Sequence, residues 1–171
     1  GYKYDSMSVS VLKITAEENV INIYYTKKTD LSYTVNYLEK GTNKVLHEQK
    51  TQTGMTYESI VNSILEIIQI DGYNYDSLDK PYISILTGNN IINIYYTKRN
   101  DLIYKVNYLD KITNKILADQ RVYRDKTFGD VIKAEDEIID ILGYNYDSVD
   151  NETLTIEDKE NIINVYYTKR T

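Results

Sequence analysis

Apolar and polar residues alternate strictly in the stretch YTVNYL, residues 33–38. The alternation places Tyr33, Val35 and Tyr37 on one face, which is the period of a half-buried β-strand. The turn-forming residues KGTN follow, and residues 44–52 make a plausible antiparallel partner strand. These stretches together predict a β-hairpin.

The period changes to a helical one after residue 55. Six apolar residues then recur at intervals of three and one, which lays a single apolar stripe along a predicted α-helix. The stripe consists of Tyr57, Ile60, Val61, Ile64, Leu65 and Ile68. Thr56 is the predicted N-cap, and Gly72 is the predicted residue just beyond the C-terminal end.

Beyond Gly72 the pattern returns to that of β-strands. The stretches YNYDS, YISIL and IINIYYT predict three strands, the last with Ile92, Ile94 and Tyr96 on one face. The predicted order is therefore β-β-α-β-β-β. This order is typical of an α+β module, with one helix packed on one face of a mixed sheet.

The whole pattern repeats with a fixed period. The phrase INIYYTK begins at positions 21 and 92 and returns as INVYYTK at position 163, so the copies are 71 residues apart. Residues 31–101 form a first full copy, residues 102–171 form a second full copy, and residues 1–30 match only the C-terminal half of a copy. We expect the chain to be a fragment of a longer array.

The second full copy departs from the first in the segment predicted to be helical. Thr127 and Asp130 form a capping-box-like pair there. Glu135 and Asp136, however, stand where the first copy has two apolar residues. We expect this helix to be shorter, bent or less buried.

The connections between copies are short. Only about five residues, none of them Gly or Pro, separate the last predicted strand of one copy from the first of the next. Such a connection limits independent tumbling, so we expect an elongated array with contacts only between neighbouring copies.

The amino-acid composition limits which kinds of molecule the chain can bind. The chain has no Cys and a net charge of −6, so disulfides are excluded. Nucleic acid and anionic membranes are disfavoured as partners, since both select clustered Lys and Arg. No stretch approaches the length of a continuous apolar membrane span, so we expect no membrane insertion by this fragment.

Few residues are candidates for catalysis or metal binding. His47 is the only histidine, and a site built on it could not repeat, so we interpret it as structural. Asp76 and Asp79 recur as Asp147 and Asp150, which raises the possibility of calcium. A role in turns and strand caps is favoured, because the dense acidic loop that calcium needs is absent. We expect no enzyme, no metal and no cofactor.

Tyrosine is the residue type of greatest interest, with 19 examples in the chain. In each closing strand the alternation places the second tyrosine of the pair on the core face and the first on the opposite face. The second tyrosines are Tyr25, Tyr96 and Tyr167, and the first are Tyr24, Tyr95 and Tyr166. The first tyrosines either pair across strands, which is the favoured interpretation, or form a row of exposed rings that contacts sugars or protein.

The order and spacing of these pieces resemble the mucin-binding-protein (MucBP) repeat family of bacterial cell-surface proteins. The resemblance rests on Val35 and Tyr37 in the first strand, the Gly-Tyr after the predicted helix and the Tyr-Tyr ending. It covers both full copies and residues 1–30. It implies tandem ubiquitin-like β-grasp modules and an extracellular location on the cell wall of a Gram-positive bacterium, with anchor and signal outside this fragment.

The resemblance also implies a function. It indicates a non-catalytic repeat region of a surface adhesin, which binds host mucin, glycoprotein or glycan weakly per module and gains strength from avidity. The alternative is a purely structural stalk that presents a distal domain. Tyr24, Tyr95 and Tyr166 are the candidate ligand-binding residues.

Residues 1–30 lack the first hairpin and the helix of their copy. Their strands therefore expose an apolar face, and an isolated strand pair of this kind is marginal in water. We expect this segment to pack onto the first full copy or to cause self-association with another chain.

Overall fold

The structure is a computed structural model that describes residues 1–170. It contains fourteen β-strands and two 3₁₀ helices, Ser63–Glu66 and Ala134–Glu137. The strands are β1 Tyr2–Met7, β2 Ile23–Lys27, β3 Leu31–Glu39, β4 Val45–Met55, β5 Ile60–Asn62, β6 Tyr73–Leu78, β7 Tyr82–Ser84, β8 Ile91–Lys98, β9 Leu102–Asp110, β10 Ile116–Lys126, β11 Val131–Lys133, β12 Tyr144–Val149, β13 Thr153–Thr155 and β14 Ile162–Lys169. No helix within residues 1–170 is long and apolar enough to cross a membrane.

The chain divides into two compact units. The first unit comprises residues 1–68 and 75–96, and the second comprises residues 69–74 and the chain from residue 97 onward. Each unit contains one mixed four-stranded sheet and one small two-stranded sheet, and the first unit also contains the hairpin of β1 and β2. The mixed sheets agree with the prediction.

The main sheet of the first unit has the strand order β4-β3-β8-β6. β3 pairs with β4 in antiparallel fashion and with β8 in parallel fashion, so it lies inside the sheet. The alternation predicted for β3 and β8 is confirmed, because the inward residues of both strands are buried. These residues are Tyr33, Val35 and Tyr37 of β3 and Ile92, Ile94 and Tyr96 of β8. Their removal from water is the main force that stabilises the unit.

The second unit repeats this arrangement with the strand order β10-β9-β14-β12. β9 pairs in parallel with β14, and β11 pairs with β13 in the small sheet. The core again consists of alternate residues of the two central strands, together with residues from the segments that cover the sheet. Its buried members are Leu102, Tyr104, Val106, Tyr108, Ala134, Ile156, Ile163, Val165 and Tyr167.

The helix predicted for residues 57–68 is wrong. Residues 60–62 form β5, which pairs with β7, and only the four residues Ser63–Glu66 form a helical turn. The predicted apolar stripe does not lie on one face, because Val61 is buried while Leu65 is 79% exposed. The fold is therefore almost entirely β rather than α+β.

Local backbone chemistry explains this departure. Glu58 has a φ of +62°, which lies outside the right-handed helical region and breaks the helix near its predicted start. Ile60 and Val61 are β-branched and favour extended backbone. The first turn of the predicted helix is a tight turn in which the Ser59 amide donates to the Thr56 carbonyl at 3.0 Å, so Thr56 is not a helix N-cap.

The second full copy departs from the predicted helix in the same way. β11 and the turn Ala134–Glu137 replace it, and Gly129 takes the left-handed conformation that Glu58 has in the first copy. The predicted pairing of Thr127 with Asp130 does form, with the Thr127 amide donating to the Asp130 carboxylate at 3.0 Å. It closes a turn rather than a helix.

Gly72 has the positive φ of +77° that a residue beyond a helix would need, but no helix precedes it. It belongs to a turn in which the Tyr73 amide donates to the Ile70 carbonyl at 3.1 Å. A Cβ atom on Gly72 would lie 2.3 Å from the ring of Phe128 in the same unit. Both the backbone angle and the close approach therefore require glycine here.

Residues 1–30 form only the hairpin of β1 and β2 and an irregular connection between them. The hairpin contacts the rest of the first unit at one turn. The rings of Tyr2 and Tyr57 lie edge to face with centroids 5.6 Å apart, and Lys27 forms an ion pair of 3.0 Å with Glu58. The apolar side chains of the hairpin remain exposed, and self-association through them stays a prediction.

Candidate binding surface

Each Tyr-Tyr pair of the two full copies has one ring in the core and one on the other side of the sheet. Tyr96 and Tyr167 are each 1% exposed, which confirms the core location predicted for them. Tyr95 and Tyr166 are half-buried and lie on the opposite face of β8 and β14. Only these outer rings can reach a partner.

Backbone groups hold the two inner rings in place. The Tyr96 hydroxyl donates to the Ile68 carbonyl at 2.9 Å and accepts from the Ile68 amide at 3.2 Å. Tyr167 makes the same two bonds with Ile139, at 2.8 and 3.1 Å. Burial raises the pKa of Tyr96 and of Tyr167, so both hydroxyls stay protonated.

The hairpin of residues 1–30 differs from this arrangement. Tyr24 is 51% exposed and Tyr25 is 59% exposed. The core location predicted for Tyr25 is therefore wrong, because β2 pairs with β1 alone within residues 1–170 and leaves this ring exposed. Tyr24 lies on a surface that lacks the neighbours of Tyr95.

The outer tyrosine of the first full copy belongs to a row of apolar side chains. Leu38 on β3 lies beside Tyr95 on β8 in the parallel ladder and beside Val45 on β4 in the antiparallel ladder. Val45 is exposed, and the other two are half-buried. The three residues Val45, Leu38 and Tyr95 therefore form an outer stripe across three strands.

The second full copy has the same outer stripe. Leu109 lies beside Tyr166 and beside Ile116, in the positions of Leu38, Tyr95 and Val45. A depression of about 450 Å³ adjoins the stripe, and residues 107–109, Ile116 and residues 118–120 contribute to its walls. The recurrence shows that the stripe is a property of the copy and not of one site.

A row of polar side chains runs parallel to the outer stripe, two residues earlier on each strand. Asn36 donates to the Asn93 side-chain carbonyl at 2.8 Å, and Asn93 donates its side-chain and backbone N–H groups to Asp79, both at 3.0 Å. The second full copy repeats these bonds with Asn107, Asn164 and Asp150, at 2.8 to 3.1 Å. We call each row an amide ladder.

The carboxylates considered for calcium have protein partners. Asp79 and Asp150 accept from the amide ladders, as described above. Asp76 forms an ion pair with Lys40 and accepts from Ser77 at 2.6 Å, and Asp147 does the same with Lys111 and Ser148. The hydrogen bond from Lys40 holds the pKa of Asp76 below its usual value. These contacts favour the interpretation as turn and strand caps.

His47 also has a structural environment. Its ring packs edge to face on Tyr37, with centroids 5.4 Å apart, and its Nδ1 lies 3.0 Å from the Glu48 carbonyl oxygen. The arrangement supports the structural interpretation.

Each copy contains one buried carboxylate that the sequence pattern does not predict. Glu66 accepts from the Tyr33 hydroxyl at 2.7 Å and from Lys50 at 2.5 Å. Glu137 occupies the same place in the second copy and accepts from Tyr104 at 2.7 Å and from Tyr123 at 2.6 Å. Burial and the bond to Glu66 raise the pKa of Tyr33 to about 12. Each carboxylate ties the covering segment to the first hairpin.

Leu38 and Val45 were also missed as members of a candidate surface. Alternation along β3 indicates that Leu38 faces away from the core, but its contact with Tyr95 depends on the register of a parallel ladder. The partners lie 57 residues apart in the chain, as the Asn36–Asn93 bond shows. Local pattern does not determine such a register.

Comparison with known proteins gives structural matches only. No protein-family model and no curated protein matches the sequence. Among solved structures, "Crystal structure of Mub-RV" matches with a TM-score of 0.32 and 14% identity over 82% of this chain and 100% of that one. The type 2 repeat of the mucus binding protein MUB from Lactobacillus reuteri matches with a TM-score of 0.30 and 12% identity, over 82% and 100% of the two chains.

Domains 3–4 of the Streptococcal High Identity Repeats in Tandem (SHIRT) of a cell surface protein also match. Their TM-score is 0.30 and their identity is 13%, over 81% of this chain and 98% of that one. One of these three neighbours is a repeat of a mucus binding protein, and another comes from tandem repeats of a cell surface protein. Because all three TM-scores lie below 0.5, we base the proposed function on the residues of this chain.

Proposed function

We propose that this chain is a non-catalytic repeat region of an extracellular bacterial surface adhesin and that it binds host mucin, glycoprotein or glycan. The observation that carries the proposal is the outer stripe, which recurs at the same place in both full copies with a tyrosine at one end. Tyr95 and Tyr166 are the residues that contact the ligand. Tyr24 is the corresponding residue of residues 1–30.

The chemistry of the outer face suits carbohydrate. A tyrosine ring offers an apolar face for the C–H side of a sugar and a hydroxyl for hydrogen bonding. The amide ladder beside each stripe supplies carboxylate and amide oxygens, for example those of Asp79 and Asn93. A stripe of three side chains on an open sheet provides little enclosure, so binding per copy is weak.

Repetition compensates for weak binding by each copy. The two stripes lie on one chain. Once one stripe has bound a polymeric glycoprotein, the other stripe meets the same polymer at a raised effective concentration, which strengthens binding by the whole chain. The segments 1–30, 31–101 and 102–171 are the proposed half copy and two full copies of this array. We place the protein on the cell wall of a Gram-positive bacterium on the strength of the sequence resemblance.

The proposed module is related to the ubiquitin-like β-grasp fold. The parallel pairing of its first and last strands inside a mixed sheet supports this relationship. In place of the long helix, β5 and the turn Ser63–Glu66 cover the sheet in the first copy. A shortened covering segment of this kind still buries the inner rings.

A structural spacer that presents a distal domain is the second candidate. The observation that favours it is the half-burial of Tyr95 and Tyr166 against Leu38 and Leu109, which cross-strand packing alone would explain. A spacer predicts that the chain binds no glycan at any concentration at which it remains folded.

A glycan array and a mucin pull-down test the proposal. The triple variant Tyr24→Ala, Tyr95→Ala, Tyr166→Ala should lose at least tenfold in mucin binding. The variant Tyr146→Ala is the matched control, because Tyr146 is 45% exposed but lies outside the outer stripe. If the triple variant binds mucin as well as the unmodified chain does, the three tyrosines are not the ligand-binding residues. If the unmodified chain binds neither mucin nor glycan, the structural spacer is the remaining function.

A further inference from the structure

The segment that covers the sheet of the first unit displays a group of exposed apolar side chains. They lie on β5, on the turn Ser63–Glu66, on β7 and two residues after β7. The group consists of Ile60, Ile64, Leu65, Tyr82 and Leu86, each more than half exposed. We call it the cap patch.

The local structure fixes the direction of these side chains. In the small sheet Ile60 pairs with Ser84 and Tyr82 pairs with Asn62, while Val61 and Ile83 between them point into the core. Alternation therefore turns Ile60 and Tyr82 toward solvent. The cap patch thus lies on the side of the small sheet that faces away from the main sheet.

The turn after β5 contributes two more outward side chains. Ser63 and Glu66, its first and last residues, are buried, and Glu66 is fixed by Tyr33 and Lys50. Ile64 and Leu65 between them are 56% and 79% exposed. Their exposure is therefore a consequence of the anchored ends of the turn.

The second unit shows that the fold does not need apolar residues at these places. It has the same small sheet and the same turn, anchored by buried Glu137. The residues that correspond to the cap patch, 71 positions later, are Val131, Glu135, Asp136, Thr153 and Glu157. Three of these five are acidic. The fold therefore does not require the apolar residues of the cap patch for packing, and their exposure indicates an interaction surface.

The chemistry of the patch selects its partner. The five side chains carry no charge, so pairing two such patches buries apolar surface without the cost of desolvating an ion. A polar glycan would leave most of this apolar surface exposed to water, whereas a second cap patch would cover it with apolar side chains. The acidic counterpart in the second unit would repel another acidic surface. A second copy of the chain is therefore the partner that fits.

The size of the patch agrees with a weak dimer. The five side chains expose roughly 500–600 Å² in total, so a pair of patches would bury about 1,000 Å², which is near the lower limit for specific interfaces. We propose that two copies of this chain associate through the cap patches of their first units, in a two-fold symmetric contact, and that the second units take no part.

Sedimentation velocity on the full chain, from about 1 µM to about 1 mM, measures this association. The variant Ile64→Glu, Leu65→Asp places the acidic residues found at positions 135 and 136 on the first unit, so the fold should tolerate it. We expect its dimer dissociation constant to rise at least tenfold. The converse variant Glu135→Ile, Asp136→Leu should create a second patch and give species larger than dimers.

A second variant separates the cap patch from the exposed hairpin of residues 1–30. In Ile23→Ser, Tyr25→Ser the hairpin loses two exposed apolar side chains while the cap patch is unchanged. Dimerisation should persist in this variant. A chain that stays monomeric at about 1 mM, or a dimer lost in the hairpin variant but kept in Ile64→Glu, Leu65→Asp, would overturn the proposal. Mucin binding by the outer stripe should be unaffected per copy, so the two proposals can fail separately.

Discussion

β2 and β8 carry nearly the same sequence in opposite environments. Ile94 and Tyr96 of β8 are buried, whereas the corresponding Ile23 and Tyr25 of β2 are more than half exposed. β8 has β3 on one side and β6 on the other, while β2 has only β1. The phrase INIYYTK therefore specifies a strand, but burial of its side chains depends on a partner strand.

β1 and β2 pair with each other although, within residues 1–170, neither has a neighbour that corresponds to β3. Tyr4 pairs with Tyr25 and Ser6 with Tyr24, as Tyr146 pairs with Tyr167 and Ser148 with Tyr166 in the second unit. Both ladders contain an irregularity at the same place. Hairpin register is thus encoded within about 25 residues, whereas the core requires strands from the whole copy.

The largest effect should come from truncating the inner tyrosine. Tyr96→Ala should destabilise the first unit by about 3–5 kcal/mol, because it leaves a large cavity and removes both bonds to Ile68. Tyr25→Ala, the same change in an exposed place, should alter stability by less than about 0.5 kcal/mol. Urea denaturation monitored by circular dichroism measures the free energy of unfolding of both variants. Equal losses in Tyr96→Ala and Tyr25→Ala would show that the two tyrosines do not differ in burial.

The next effect concerns Glu66, which belongs to the half of a copy that residues 1–30 lack. Burial raises the pKa of Glu66, but the hydrogen bonds from Lys50 and Tyr33 outweigh it, so the pKa lies below the usual 4.5. The unfolded chain then binds this proton more readily than the folded one. Glu66 therefore stabilises the fold above about pH 4.5 and ceases to do so as pH falls through its folded pKa.

Glu66→Gln should lower the free energy of unfolding by about 1–3 kcal/mol at pH 7. The difference from the unmodified chain should shrink as the pH is lowered below about 4.5. Urea titrations between pH 7 and pH 3 test this, with the exposed Glu48→Gln as control. A difference that stays constant over this range would show that the charge of Glu66 does not stabilise the fold.

The smallest effect concerns the amide ladder. Asn93→Ala removes bonds to Asn36 and Asp79 and should cost about 1 kcal/mol. Asn22 is the corresponding residue of residues 1–30, where the bond shown is between its backbone N–H and the Ser8 hydroxyl at 3.0 Å. Asn22→Ala should therefore change the urea midpoint very little, and a loss as large as that of Asn93→Ala would show that the ladder does not depend on β3.

Strands and their inward faces could be predicted from the sequence because period-two alternation is local. Val35, Tyr37, Ile92 and Ile94 are buried as predicted. The helix predicted for the covering segment is wrong because the spacing of Ile60, Val61, Ile64 and Leu65 fits a helix as well as it fits the observed β5 and turn. The left-handed backbone at Glu58 was the decisive feature, and Gly129 at the same place in the second copy was the available signal.

The same error concealed the cap patch. A helix would have turned Ile60, Ile64 and Leu65 toward the core, whereas the small sheet and the turn direct them to solvent. Alternation predicts the outer position of Tyr95, but the contact of Tyr95 with Leu38 depends on a parallel register that joins distant parts of the chain. Surfaces built from distant strands are beyond the reach of local pattern.

The parallel pairing of β3 with β8 has a mechanical consequence. β3 opens the first full copy and β8 closes it, and six pairs of residues from Thr34–Ile91 to Glu39–Tyr96 connect them side by side. Tension applied to the two ends of the copy would pull these strands in opposite directions along their length. The ladder bonds would then bear the load together rather than one at a time, so we expect the copy to resist stretching along this direction.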